Sequence, residues 1–151
     1  MDVLKILKND HDSVKALFAK FEKAGPGAED RKWELFEQIR RELTIHSKAE
    51  EEIFYPAIKV FNGEGRRLIT EAVREHREMD QGLTRIGRLN VIDARFDDRL
   101  AALMEDVEHH ITQEEGQIFQ FAQENCPVHQ LEELGAEIEK RKTALERQLA
   151  A

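Results

Sequence analysis

The chain has 151 residues, 36% of them charged and 40% hydrophobic, with a net charge of −8 and a single cysteine, Cys126. This length suits one domain with a core, and one cysteine excludes an intramolecular disulfide. The acidic balance disfavours nucleic acid as a partner, and no apolar run approaches the ~20 residues that span a bilayer. The composition is rich in helix formers and the N-terminus is unlike a signal peptide, which predicts one cytoplasmic helical domain over residues 1–151.

The first two predicted helices cover about residues 2–24 and 29–61. In each, apolar residues recur at steps of three and four, the pattern of a helix that buries one face in a bundle. His11 interrupts the apolar row of the first helix, and His46 and Glu50 interrupt that of the second. Gly25-Pro26-Gly27 predicts the turn between them, and Tyr55-Pro56 predicts an end or a kink in the second helix.

The third and fourth helices are predicted over about residues 66–89 and 93–125, after a turn that begins at Asn62. His76 lies in the apolar row of the third helix, and His110 and Glu114 lie in that of the fourth, whose predicted N-cap is Asp93. A further helix over about residues 128–150 alternates apolar and charged residues. Four amphipathic helices joined by short turns predict an all-α, up-down-up-down four-helix bundle, with the additional C-terminal helix laid on its outside.

The inward polar residues form a pattern that occurs twice. A lone histidine is followed by His-x-x-x-Glu 35 residues later in the first half and 34 residues later in the second. A histidine and a glutamate four residues apart share one face of a helix. Counted from the turns, all of these residues lie within about one helical turn of the same level in the bundle. The sequence therefore predicts one buried cluster of His11, His46, Glu50, His76, His110 and Glu114.

Such a cluster indicates a metal site. Without a metal, each buried polar group would lack a partner, at a cost of about 1–3 kcal/mol and more for the carboxylates. Imidazole and carboxylate suit iron, and manganese or zinc less distinctively; two octahedral ions offer about 12 coordination positions. Four histidines, two bridging carboxylates and one oxo or hydroxo bridge fill about ten of these positions. The open positions favour ligand binding or chemistry over a structural role.

The same residues carry a resemblance to a known family. The order His11, His46 with Glu50, His76, and His110 with Glu114 resembles the signature of hemerythrin-like domains of the HHE cation-binding family. Residues 51–56, Glu-Glu-Ile-Phe-Tyr-Pro, are similar to the phrase that follows the first motif in that family. The resemblance implies a non-haem, oxo- or hydroxo-bridged di-iron centre that handles dioxygen, nitric oxide or peroxide.

One position departs from the family's oxygen carriers. Those hemerythrins have a fifth histidine one turn after the third, and the corresponding residue here is Asp80. The difference disfavours reversible dioxygen carriage, because one iron would lose a neutral ligand. Whether Asp80, a water or another side chain takes that place is left open by the sequence.

Other polar residues near the motifs are expected to lie outside the cluster. His109 is about 100° from the inward face of its helix, which places it on the surface or beside the site, and His129 is expected to be exposed. Tyr55 is expected to pack at a helix end, and Glu51 and Glu115 are expected to be solvated.

Three functional classes remain open from the sequence. The chain is predicted to bind or sense dioxygen or nitric oxide, or else to act as an oxidoreductase on peroxide, nitric oxide or ferrous iron. A structural or partner-binding bundle is the third class, and it leaves the inward polar residues unexplained. A protein partner or a homo-oligomer is also left open, with the C-terminal helix as a possible interface.

Overall fold

A computed structural model describes the protein over residues 1–25, 27–61 and 63–150. The predicted turn residues Pro26 and Asn62 lie outside the described residues, as does Ala151. Helical geometry dominates the described chain, which contains no strand. The helices are α1 Val3–Lys23, α2 Glu29–Ala49, α3 Tyr55–Lys59, α4 Gly63–Gly87, α5 Ala94–Gln113, α6 Phe119–Asn125 and α7 Val128–Ala150.

Two of these helices continue without a break through a wider π-helical turn. The turn π1, Glu50–Phe54, joins α2 to α3, and the turn π2, Glu114–Ile118, joins α5 to α6. The bundle therefore consists of α1, α2–π1–α3, α4 and α5–π2–α6, with α7 added. This confirms the predicted all-α bundle with an additional C-terminal helix. That the whole of 1–151 is one domain stays a prediction.

Aspartates cap the start of two helices. The Asp2 side chain accepts a hydrogen bond from the backbone N–H of Lys5 at 3.0 Å, and Asp93 accepts one from the backbone N–H of Arg95 at 2.9 Å. Each bond satisfies one of the free N–H groups at a helix N-terminus. The prediction of Asp93 as an N-cap is confirmed.

The bundle core has two apolar parts, one on either side of the predicted cluster. One part contains Leu7 of α1, Phe54 of π1 and Phe121 of α6, and the other contains Phe18 of α1 and Phe36 of α2. Along α1, His11 lies between the two parts, because Leu7 belongs to one and Val14 to the other. The polar cluster thus forms a layer inside an apolar core, where water is largely excluded.

Helix α7 packs against α1, α2 and π1. Its Leu145 is buried against Ile45 and Ala49 of α2. A Cβ atom at Gly135 would overlap with the carbonyl oxygen of Met1, so glycine permits the close approach of α7 to the start of α1. Among the described helices, none combines the length and the apolar character that crossing a membrane requires.

Candidate metal centre

All six predicted residues are buried in the core. Their exposed fractions lie between 0% and 6%, and both glutamates have 0%. Within the described chain, no other histidine and no other charged side chain falls in the buried class; the six are His11, His46, Glu50, His76, His110 and Glu114. The structure therefore brings together every residue of the predicted cluster.

The cluster divides into two groups that share both carboxylates. The first His/Glu group is His11 and His46 with Glu50 and Glu114, and the second is His76 and His110 with the same glutamates. In each group, one nitrogen or oxygen from every member lies within 4.8 Å of the others. Each group therefore offers imidazole and carboxylate atoms close enough together to hold a metal ion.

Short distances between ring nitrogens and carboxylates define the groups. In the first group, His46 Nε2 lies 3.0 Å from Glu50 Oε1, and His11 Nε2 lies 3.1 Å from Glu114 Oε1. In the second, His76 Nε2 lies 3.2 Å from Glu50 Oε1, and His110 Nε2 lies 3.5 Å from Glu114 Oε2. Every histidine therefore directs Nε2 at a shared carboxylate.

Five of these inward atoms have no hydrogen-bond partner in the described structure, because their close contacts lack hydrogen-bond geometry. They are His11 Nε2, His46 Nε2, His110 Nε2, Glu50 Oε2 and Glu114 Oε1. Buried polar atoms are normally satisfied, and leaving one without a partner costs about 1–3 kcal/mol. Since all five are atoms that ligate metals, the residues present fit metal ions.

The opposite nitrogen of each histidine ring also meets a carboxylate. His46 Nδ1 donates to Asp10 Oδ2 at 2.8 Å, and His110 Nδ1 donates to Glu75 Oε1 at 2.6 Å. His11 Nδ1 donates to Glu115 Oε2 at 2.7 Å, and His76 Nδ1 donates to Glu51 Oε2 at 3.3 Å. We call these acceptors the outer carboxylates: Asp10, Glu51, Glu75 and Glu115. Each bond holds the ring so that Nε2 faces inward, and such bonds raise the basicity of a metal-bound imidazole.

Glu51 is exposed, as expected, and Glu115 is half-buried, but each also bonds to a histidine ring of the cluster. The sequence did carry a signal for the outer carboxylates, since an acidic residue directly precedes each lone histidine and directly follows each motif glutamate. Each acidic neighbour bonds to a histidine on a different helix. Asp10 of α1, for example, accepts from His46 of α2, and Glu75 of α4 accepts from His110 of α5. Spacing within a single helix could not show that pairing.

Both motif glutamates begin a π-helical turn. The backbone N–H of Tyr55 bonds to the carbonyl of Glu50, and that of Phe119 bonds to the carbonyl of Glu114, five residues back in each case. The extra residue shifts the buried face by one position. Consequently Phe54 and Ile118 are buried, whereas an uninterrupted α-helical period would turn Ile53 and Gln117 inward; Ile53 is partly buried and Gln117 is exposed.

Pro56 does not end the second helix, so of the end or kink expected at Tyr55-Pro56 the end is wrong. The proline lies at the start of α3, directly after the wider π turn. The proline does not cause the π turn either, because π2 has the same form and is followed by Phe119-Gln120. Short π-helical segments inside α-helices occur frequently at functional sites.

Tyr55 is part of the site, although it was expected only to pack at a helix end. Its hydroxyl donates to Glu114 Oε2 and lies 3.3 Å from Glu50 Oε1 and 3.2 Å from His76 Nε2. Burial and the nearby carboxylates of Glu114 and Glu50 raise the pKa of Tyr55 well above its ordinary value. The phenol therefore keeps its proton at neutral pH. The structurally equivalent residue after Glu114 is Phe119, which stacks on His11 and offers no hydroxyl.

Asp80 does not belong to either His/Glu group. It is exposed, and with His76 it lines a cavity of about 270 Å³ between α2 and α4. The side chain that occupies the inner side of His76 is instead Tyr55, whose ring stacks on the imidazole at a centroid distance of 5.4 Å. His109 and His129 are exposed, as expected from the sequence.

Carboxylates raise the pKa of two histidines of the cluster, His46 and His110, in the metal-free protein. Burial by itself would lower the pKa of His110, but Glu114 and Glu75 outweigh burial and raise it to about 10. For His46, Glu50 and Asp10 likewise outweigh burial and hold the pKa well above its ordinary value. These rings carry protons at neutral pH, which a metal ion must displace.

Comparison with known proteins gives the family. Residues 2–122 match the family described as the hemerythrin HHE cation binding domain. The chain belongs to this family. The resemblance noted from the sequence is thereby confirmed, and the family's description agrees with a His/Glu cluster that can hold metal ions.

Two individual proteins resemble this HHE-domain chain. A hemerythrin HHE cation binding domain-containing protein from Mycobacterium kansasii has a crystal structure that matches with a TM-score of 0.86 at 25% identity, covering 98% of this chain and 89% of that one. A protein of Nostoc sp. strain PCC 7120 named DNA nickase is 30% identical over 149 residues, which are 99% of this chain and 41% of the relative. The chain spans about two fifths of the length of that relative.

Proposed function

We propose that this HHE-domain chain binds two iron ions and takes up dioxygen, nitric oxide or peroxide at an open iron position. The observation that carries the proposal is the pair of His/Glu groups that share Glu50 and Glu114. One ion is proposed for His11 and His46 and the other for His76 and His110. Imidazole and carboxylate ligands suit iron, and the iron supplies redox chemistry when bound.

The surroundings of the cluster support binding of a small ligand. The 270 Å³ cavity beside His76 has Leu43 and Leu83 in its wall and opens towards α2 and α4. A second cavity of about 290 Å³ borders His110 and Glu114. Dioxygen, nitric oxide and peroxide are each small enough for such spaces, whereas a larger organic substrate would have to open the bundle.

A second candidate, an oxidoreductase, is favoured by Tyr55. A buried phenol that retains its proton can donate it at the carboxylates of the site. For peroxide, two molecules of hydrogen peroxide would yield one dioxygen and two waters, so that no external reductant is needed.

The first experiment is metal analysis with an optical spectrum of the same aerobically purified sample. About two irons per chain with near-ultraviolet bands would support the proposal. One zinc per chain, or no metal after anaerobic reconstitution with ferrous iron, would contradict it. Manganese in place of iron would retain the site and change the chemistry.

Peroxide and nitric oxide assays then separate the two candidates. Catalytic loss of hydrogen peroxide, reduced in Tyr55→Phe at unchanged iron content, would favour the oxidoreductase. Stable binding of nitric oxide or dioxygen without consumption would favour binding or sensing, with the signal passed to a protein partner or to a second copy of the chain. Phe119→Tyr is the matched control, because it adds a hydroxyl at the equivalent position of the other half.

Action on DNA is not part of the proposal, although one relative is named DNA nickase. The net charge of −8 disfavours DNA binding, because affinity for nucleic acid comes largely from Lys and Arg that neutralise phosphates. Incubation with supercoiled plasmid and ferrous or manganous ions tests this. If the wild type nicks the plasmid and Glu114→Ala does not, the chain acts on DNA through this site. A cytoplasmic location also stays a prediction.

A further inference from the structure

Lysine 142 connects the outer helix α7 to the metal centre. Its Nζ forms an ion pair with Asp10 Oδ1, while the other oxygen of Asp10 accepts the hydrogen bond from His46 Nδ1. The chain of contacts therefore runs from Lys142 through Asp10 to His46 and on to the shared Glu50. Both members of the ion pair are mostly shielded, with exposed fractions of 21% for Lys142 and 16% for Asp10.

The position of Lys142 is fixed by the packing of α7. One turn before it, Ile138 is fully buried in the bundle core, and three residues after it, Leu145 is buried against α2. Residues four and three positions apart share a helix face, so these contacts direct Lys142 at the bundle. The ammonium group is thus held over Asp10 rather than moving freely in solvent.

Asp10 is unlike the other outer carboxylates. Among the described residues, no Lys or Arg lies within ion-pair distance of Glu51, Glu75 or Glu115. The halves of the chain repeat their histidines, their glutamates and their outer carboxylates, yet among the described residues the ion pair is formed at Asp10 alone; Arg74 and Lys8 act on Glu75 and Glu115 only from a longer distance. The asymmetry comes from α7, which follows the repeated part of the chain.

We propose that Lys142 is a positioning residue that orients Asp10 and withdraws negative charge from it, so that the first His/Glu group differs electronically from the second. This inference rests on the proposed function, since it concerns metal ions held by those groups. An outer carboxylate orients a ligating imidazole and also makes it a stronger ligand. A cation paired with that carboxylate reduces the gain in ligand strength and leaves the orientation in place. The first metal position becomes the more electron-poor of the two.

The Asp10 carboxylate is bonded on both sides. Lys142 Nζ pairs with its Oδ1, and His46 Nδ1 lies 2.8 Å from its Oδ2. In the partly dry interior, an interaction between such charges is stronger than at the surface.

The competing explanation is that the ion pair of Lys142 only holds α7 in place. A neighbouring ion pair on the same helix provides the control. The preceding residue, Arg141, forms an ion pair with Glu52, and Glu52 contacts no histidine. Lys142→Met and Arg141→Met remove the same charge from adjacent positions of one helix. Lys142→Arg keeps the charge on Asp10 and is the conservative rescue.

The test uses the full chain loaded with zinc, which is redox-silent, and nuclear magnetic resonance of the histidine ring nitrogens and their Nδ1–H protons. Lys142→Met is expected to shift the His46 resonances and leave those of His76 and His110 in place as internal references. Arg141→Met is expected to shift none of them, and Lys142→Arg to restore the wild-type spectrum. Should Lys142→Met fail to fold, Lys142→Gln replaces it with a side chain that can still bond to Asp10 without charge.

The iron-loaded protein gives a second measurement. Removal of a positive charge stabilises the oxidised metal, so Lys142→Met is expected to lower the midpoint potential of one of the two irons, and Arg141→Met to leave both nearly unchanged. Two results would overturn the inference and leave the proposed function standing. One is an equal change of potential in the two variants. The other is a His46 spectrum that is the same in Lys142→Met as in a wild type that binds two zinc ions. A wild type that binds no metal would overturn both.

Discussion

The two histidine pairs of the cluster have nearly the same geometry. The ring centroids of His11 and His46 are 4.9 Å apart at an interplanar angle of 65°, and those of His76 and His110 are 4.8 Å apart at 62°. Each pair faces both glutamates, and each ring is held by one outer carboxylate. The repeated half-sequences thus produce two His/Glu groups of almost equal geometry.

The positions differ in the side chains that surround them. Tyr55 places a hydroxyl beside His76, where the other half places the ring of Phe119 beside His11. Lys142 reaches the first group through Asp10, and the second group has no such cation among the described residues. The repeat therefore supplies the candidate metal-ligating atoms. The two groups become unequal through one difference within the repeat, Tyr55 against Phe119, and through Lys142 of α7, which lies outside it.

The largest expected effect comes from a carboxylate that both groups share. Glu114→Ala should remove metal from both positions and lower the melting temperature, because a ligand at 1,000 times its dissociation constant stabilises the fold by about 4 kcal/mol. Elemental analysis and thermal unfolding measure the two effects. Gln117→Ala, an exposed position of the same π turn, is the control and should retain metal. Wild-type iron content in Glu114→Ala would refute the assignment of the site.

Removal of one histidine should affect one position more than the other. His46→Ala leaves the second His/Glu group intact, and His110→Ala leaves the first intact, so each variant should retain about one of two ions. Metal analysis of both variants tests whether the positions fill independently. His109→Ala, an exposed neighbour of His110, should retain the full content. Complete loss of metal in both variants would mean that neither position fills alone.

An outer carboxylate should have a smaller effect. Glu75→Gln weakens the bond that orients His110 and should lower the metal affinity of the second group about 10–100-fold, without abolishing binding. Competition with a chelator of known affinity measures the change. Glu71→Gln lies one turn earlier on α4, pairs with Arg74 and contacts no histidine, so it is the matched control. Equal affinities in the two variants would contradict the role given to the outer carboxylates.

The smallest effect is expected from pH in the metal-free protein. The pKa of His110 is raised to about 10, against an ordinary value of 6.5, so its protonated form stabilises the fold. That contribution is complete below pH 6.5 and is lost as the pH rises towards 10. Urea unfolding with a chelator present should show that the advantage of wild type over His110→Gln shrinks across this range.

Metal loading should reverse the direction of the pH dependence. Because the ion displaces protons from the rings, its affinity should increase as the pH rises from 6.5.

The unfolding experiment on the metal-free protein can be repeated for the first group. Wild type is then compared with His46→Gln, because the pKa of His46 is also raised. An advantage of wild type that stays constant from pH 6 to pH 10 would show that these histidines are not protonated in the folded, metal-free chain.

Much of the site followed from the sequence because metal ligands on helices obey simple spacing. Glu50 and Glu114 each lie four residues after a histidine, and the lone histidines interrupt apolar rows, so the inward direction of all six side chains was predictable. The π turns were not predictable in this way. They insert one residue into the helix period, so Phe54 and Ile118 are fully buried, while Ile53 is only partly buried and Gln117 is exposed.

The sequence by itself determined the helices, their buried faces and the polar layer, because each depends on the order of residues along one helix. Only the tertiary structure decided which helix supplies the outer carboxylate of each histidine, that Tyr55 reaches Glu114, and that Lys142 reaches Asp10 across 132 positions of the chain. Those contacts depend on how helices are rotated and packed against one another. Packing is set by the whole core, and no local spacing records it.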